Sequence, residues 1–157
     1  EPYTMAMCIH EYFGNRKTGW DTTILATDIS ENVLEKAKKG VYTQEQISDV
    51  PYPWVQKYFI DNKDGTFTVC DRIRKDVVFR SFNLMEPFVY KKPFDLIFCR
   101  NVMIYFYGPT KDALVDKFYN ATNPGGFLFI GHSEVINRNH AKYTYIKPAI
   151  YQKRGGN

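Results

Sequence analysis

Three short apolar runs constrain this chain more than anything else in it: Ile24-Leu25-Ala26-Thr27, Phe94-Asp95-Leu96-Ile97-Phe98-Cys99 and Phe127-Leu128-Phe129-Ile130. Runs of about four to eight residues suit buried strands and are too short for helices. The first ends in Asp28, and Ser30 follows as a helix N-cap with Glu31 near the positive helix end. Val33, Leu34 and Ala37 then give an inner helical stripe. Lys36, Lys38 and Lys39 lie near the negative end, and Gly40 stops the helix. The second run ends in Arg100-Asn101, and beyond Pro109 the residues Ala113, Leu114, Val115 and Phe118 mark another amphipathic helix. A turn at Asn123-Pro124-Gly125-Gly126 launches the third run. Strands alternating with helices predict an α/β fold with a mostly parallel sheet.

The remaining segments complete this outline. Thr4–Phe13 has apolar residues at helical spacing, framed by Pro2 and Gly14. From Val41 to Ile60 the pattern weakens around Pro51 and Pro53, with a short helix over Trp54–Phe59. Asp61-Asn62-Lys63-Asp64-Gly65 is a turn, and Thr66–Cys70 alternates as a half-exposed strand should. Val77-Val78-Phe79 is apolar again, ending near Asn83-Leu84. A small antiparallel insertion over 61–82 fits this stretch. At the end, Tyr143–Ile146 and Ala149–Tyr151 are joined too closely for a parallel crossover, so they pair antiparallel. A C-terminal antiparallel hairpin on such a sheet is a feature of S-adenosylmethionine-dependent methyltransferases. The sequence opens inside a helix and without methionine, so an upstream strand and loop are expected to be missing from it.

Composition narrows the function. The 157 residues carry a formal charge of +4 from scattered basic side chains, without the dense stripe that nucleic acid requires. No run approaches the roughly 18 apolar residues of a membrane span, and no signal peptide is visible. Cys8, Cys70 and Cys99 give neither a disulfide framework nor metal spacing, and His10, His132 and His140 form no ligand cluster. The expectation is one metal-free cytoplasmic domain.

Ligands in open α/β sheets collect at the carboxyl ends of strands. Asp28 can accept hydrogen bonds from two ribose hydroxyls there, or act only as a solvated helix-start residue. Asn83 can read an adenine edge while Leu84 packs on the ring, or Asn83 can bond its own backbone. Asn101, with Arg100 and Val102, follows the middle run. It can hold the amino-acid portion of a cofactor, with Tyr105 lining a transfer pocket or merely covering the sheet. Gly131-His132-Ser133-Glu134 is polar where a buried strand has no need to be.

Four blocks carry a resemblance: Glu1-Pro2-Tyr3-Thr4, Ala26-Thr27-Asp28-Ile29-Ser30, Phe98-Cys99-Arg100-Asn101-Val102-Met103-Ile104-Tyr105-Phe106 and Gly131-His132-Ser133-Glu134. In this order they resemble the chemotaxis receptor methyltransferase (CheR) family, in its C-terminal cofactor-binding part. The resemblance implies a Rossmann-like class I methyltransferase sheet over 1–157, lacking its first strand. It implies methyl transfer from S-adenosylmethionine to receptor glutamate carboxylates, leaving S-adenosylhomocysteine. Glu1, Asp28, Asn83, Leu84 and Asn101 match cofactor positions, and Arg100 and Tyr105 match positions at the transfer site. The 61–82 insertion resembles a small β-subdomain that docks a receptor's C-terminal tail in some members. Members also carry a helical N-terminal domain and a glycine-containing loop before Glu1.

A glutamate carboxylate is already nucleophilic at neutral pH, so no general base is needed. Arg100 can hold the incoming carboxylate or brace a loop. With its first strand missing, the chain is expected to pair the strands ending at Asp28 and Cys99 directly, or to recruit another copy at those edges. It is also expected to transfer methyl groups poorly on its own. The alternatives are a non-catalytic module for receptor tails or cofactor, and a nicotinamide-dependent dehydrogenase with its glycine fingerprint upstream.

Overall fold

A computed structural model of the chain describes residues 1–14, 19–137 and 141–155; His140 and the terminal Gly156-Asn157 lie outside them. The chain divides into two units, 1–83 and 84–157, and each is described by itself.

The first unit begins with α1 (Pro2–Phe13). Pro2 occupies the first turn, where its missing N–H is no loss. Tyr3, Ala6 and Met7 form the buried face of α1, and Gly14 ends it at φ 57°. Strands β1 (Ile24–Asp28) and β5 (Val77–Ser81) pair in parallel, with Ile24 opposite Val77 and Asp28 opposite Ser81. Helix α2 (Glu31–Lys39) follows β1, and the Ser30 hydroxyl accepts the Val33 N–H at 3.4 Å. Its C-terminal carbonyls need partners from outside the helix. Tyr3 Oη donates to Ala37 O at 2.8 Å and Arg74 Nη2 to Lys38 O at 3.1 Å. Gly40 turns the chain at φ 62°, a conformation that glycine adopts without steric cost. Leu34 and Ala37 carry the inner stripe as expected, whereas Val33 is half exposed.

Between α2 and β5 lie β2 (Val41–Thr43), α3 (Tyr52–Tyr58), β3 (Phe59–Asp61), β4 (Thr66–Val69) and α4 (Asp71–Arg74). The strands form an antiparallel sheet in the order β2-β4-β3. This sheet spans 41–69, earlier than the 61–82 expected, because Val77–Ser81 belongs to the parallel pair instead. Strands of three residues are too short for their alternation to be read. Tyr58 is fully buried beneath them, and its hydroxyl donates to Glu11 Oε1 at 2.6 Å. Full burial of side chains such as Met7 and Ile73 stabilises by about 1.5–3 kcal/mol each.

The second unit holds β6 (Phe94–Cys99), α5 (Gly108–Ala121), β7 (Thr122–Ile130), β8 (Thr144–Lys147) and β9 (Ile150–Gln152). Its sheet order is β6-β7-β9-β8. β6 and β7 are parallel, as a helical crossover requires. Leu114, Val115 and Phe118 of α5 join Leu128, Ile130 and Tyr151 in one buried cluster. Phe94 pairs with Thr122 but Leu96 pairs with Phe127, so residues 123–126 interrupt the register. The expected turn is this interruption, with Gly125 at φ 81°. β8 and β9 form the expected antiparallel hairpin, and β9 also runs antiparallel to β7.

The expected α/β organisation is present: parallel pairs, helical connections and a C-terminal hairpin. Of the two outcomes expected for the strands ending at Asp28 and Cys99, direct pairing does not occur among the described residues. β1 is laddered to β5 and β6 to β7, in separate sheets. An apolar run announces a strand without naming its neighbour.

Candidate functional site

Asp28 and Asn83 stand at the carboxyl ends of the two parallel strands of the first unit. The ladder puts Asp28 beside Ser81, and the Phe82 N–H donates to Asp28 O at 3.0 Å, which holds the chain leading into Asn83. Asp28 Oδ1 accepts the Ser30 N–H at 2.8 Å. Its Oδ2 has no protein partner among the described residues, and the side chain is only half-buried. This arrangement leaves one carboxylate oxygen able to accept a hydrogen bond from a ligand hydroxyl. One oxygen thus braces the start of α2, as the helix-start reading expects, and the other has no protein partner among the described residues. Glu1 is exposed at the N-cap of α1, and its carbonyl accepts the Met5 N–H at 2.9 Å.

The other candidates belong to the second unit. Leu84 is half-buried and packs against the core cluster there. Lys117 Nζ donates to the carbonyls of Leu84, Met85 and Glu86 at 3.1, 2.8 and 3.1 Å, which pins this segment over α5. Arg100 and Asn101 follow β6 directly. Asn101 has φ 58°, a left-handed conformation that asparagine tolerates better than most residues. Its side chain is exposed and makes no hydrogen bond among the described residues. Tyr105 ends a 3-10 turn over Met103–Tyr105 and is 80% exposed. It does not serve as a cover for the sheet.

One residue with a decisive place here was not among the candidates. Glu134 is 5% exposed, and its carboxylate accepts four backbone N–H groups. Oε1 takes Val102 at 3.0 Å and Met103 at 2.7 Å; Oε2 takes Asn101 at 3.1 Å and Gly131 at 2.6 Å. Gly131 has to be glycine for a spatial reason, since a Cβ there would lie 2.8 Å from Glu134 Oε2. The sequence signal was the polar block after the third run, in which His132 and Ser133 are exposed and Glu134 is buried. The Cys99 thiol just before this loop is pushed up to about 12, first by burial and then by the negative charge of Glu134.

No group of three or more His, Cys, Asp or Glu suited to a metal ion occurs among the described residues. No helix among them is long and apolar enough to cross a membrane.

Residues 1–151 match the family model described as "CheR methyltransferase, SAM binding domain". The chain belongs to the CheR methyltransferase family. A chemotaxis protein methyltransferase of Borreliella burgdorferi is 44% identical over 154 residues, covering 98% of this chain and 54% of that protein. The Escherichia coli chemotaxis protein methyltransferase is 34% identical, over 96% of this chain and 54% of its own length. Chemotaxis protein methyltransferase 2 of Vibrio cholerae is 36% identical, over 88% and 48%. The chain thus spans about half the length of the curated relatives it matches. A Rickettsia typhi protein, PKMT2 in complex with AdoHcy, aligns at 18% identity and a TM-score of 0.43, over 69% of this chain and 16% of its own.

Proposed function

We propose that this chain is the S-adenosylmethionine-binding part of an enzyme that methylates glutamate carboxylates of chemotaxis receptors. The observation that carries this reading is the match of residues 1–151 to the family's cofactor-binding domain. The open Oδ2 of Asp28 fits a ribose hydroxyl, and the Asn83 amide fits an adenine edge with Leu84 against the ring. The free amide of Asn101 fits the cofactor's amino-acid end, and Glu1 stands as a further polar contact. When bound, S-adenosylmethionine supplies an electrophilic methyl group on a sulfonium. The carboxylate to be methylated needs no base, so the task left to the chain is to orient it and keep water away. Arg100 is suited to hold that carboxylate, and exposed Tyr105 to wall the transfer site once a substrate covers it. The receptor, cytoplasmic in its methylated part, is the partner that this chemistry requires.

The experiment uses the full-length protein. It should bind S-adenosylhomocysteine by calorimetry and move labelled methyl groups onto a receptor cytoplasmic fragment, with the label lost on alkaline ester hydrolysis. Binding without any transfer would favour the non-catalytic module. Failure to bind would remove the cofactor assignment altogether. The present chain alone should show little transfer, because well-oriented reactants gain roughly 7–11 kcal/mol from proximity and the relatives are nearly twice as long.

The antiparallel sheet is the proposed dock for a receptor tail. Among the described residues β2 and β3 each pair with β4 alone, so each presents an open edge to which an extended peptide can add a strand. Replacing residues 59–69 by a short linker should abolish tail-peptide binding, and retained binding would rule the dock out.

A further inference from the structure

We propose that Glu134 is a positioning residue for the cofactor site: its buried carboxylate fixes the backbone of Asn101–Met103 and thereby aims the Asn101 side chain. The inference rests on the reading of Asn101 as a cofactor contact and adds the residue through which that contact is held.

Three consecutive N–H groups, of Asn101, Val102 and Met103, converge on this one carboxylate. Successive amides turned inward by a left-handed then right-handed pair of residues form a nest that binds anions. Asn101 at φ 58° and Val102 at φ −116°, ψ −43° make such a pair. In this protein the anion is internal. The fourth N–H, from Gly131 at the end of β7, ties the nest to the neighbouring strand. A carboxylate has about four acceptor positions, and all are used by backbone amides rather than by a basic side chain. A buried charge is tolerated only when so satisfied. The consequence is geometric: the loop after β6 cannot relax its left-handed turn without stranding Glu134. The Asn101 side chain, which makes no hydrogen bond among the described residues, therefore projects from a backbone that is fixed in place.

The test is a double-mutant cycle in the full-length protein, read by calorimetric affinity for S-adenosylhomocysteine. Gln at 134 keeps the size but turns a donor toward two of the four N–H groups. Glu134→Gln should weaken binding about tenfold. Asn101→Gly, which keeps the left-handed turn and removes the amide, should do the same. The double variant should lose no more than about twofold beyond Asn101→Gly, since Glu134 acts through Asn101. Tyr143→Phe serves as a control for destabilisation within the same unit and should leave affinity unchanged. Additive losses, or a Glu134→Gln variant that binds like wild type, would overturn the proposal. Wild-type protein that binds no S-adenosylhomocysteine would instead overturn the cofactor reading, and this role with it. If Glu134→Gln does not fold, hydrogen exchange on cofactor-free wild type decides. The amides of Asn101, Val102, Met103 and Gly131 should be strongly protected, and exchange at open-loop rates would refute the nest.

Discussion

Replacing Gly131 by alanine probes the same carboxylate from the other side, and its effect can be worked from distances. The added Cβ would sit 2.8 Å from Glu134 Oε2 and 3.2 Å from the Asn101 nitrogen. Ordinary contact starts near 3.4 Å, so Oε2 has to retreat by about 0.6 Å, the difference between 3.4 and 2.8 Å. The Asn101 bond to that oxygen is already 3.1 Å long, and such a retreat carries it past useful length. Hydrogen bonds to charged groups contribute about 1.5–3 kcal/mol, and forcing a methyl into a packed site costs about 1–3 kcal/mol. Because the shift relieves part of the crowding, the expected loss is about 2–4 kcal/mol. Urea unfolding of the full-length protein should show a lower midpoint with an unchanged slope, the sign that the native state is less stable rather than differently compact. Gly125→Ala is a useful comparison, because it meets no atom within 4 Å and is strained only by its φ of 81°. A loss below about 0.5 kcal/mol for Gly131→Ala, within the range of ordinary surface changes, would mean that the contact between residue 131 and Glu134 is slack and the reasoning wrong.

Other outcomes follow from single contacts. Asp28→Ala should weaken S-adenosylhomocysteine binding by about 1–3 kcal/mol, and unchanged calorimetric affinity would remove Asp28 from the site. Lys117→Met should free the carbonyls of Leu84, Met85 and Glu86; faster hydrogen exchange over 84–88 is the readout, and unaltered exchange would count against the pinning role. Cys99 and Tyr143 are both pushed up to about 12, from 9.0 and 10.0, mainly by burial. The unfolded chain therefore loses these protons first as pH rises, so their contribution is full below about pH 9 and declines through pH 12. Stability measured across that range should fall, and a flat profile would show these groups reaching water. Thiol reagents at pH 8 should accordingly label exposed Cys8 long before buried Cys99.

The sequence by itself determined the local elements, because their signals are local. Ser30, the lysines at 36, 38 and 39, and Gly40 delimit α2 through capping and helix-dipole effects that need no partner. The short apolar runs marked β1, β6 and the end of β7, and the tight link at Lys147-Pro148 left β8 and β9 only an antiparallel choice. The family was legible for the same reason, since the block from Phe98 to Phe106 is contiguous. Tertiary structure decided whatever depends on a distant partner. Which strand lies beside β1 is a long-range pairing, and the ladder from Ile24–Val77 to Asp28–Ser81 is set only in three dimensions. The three-residue strands β2 and β3 exist only because β4 lies between them. Glu134 is the sharpest case: nothing in Gly131-His132-Ser133-Glu134 states that its carboxylate reaches back over thirty residues to the amides of Asn101, Val102 and Met103. Those amides become a binding site only after β6 and β7 are parallel neighbours, which brings the ends of both strands to the same side of the sheet.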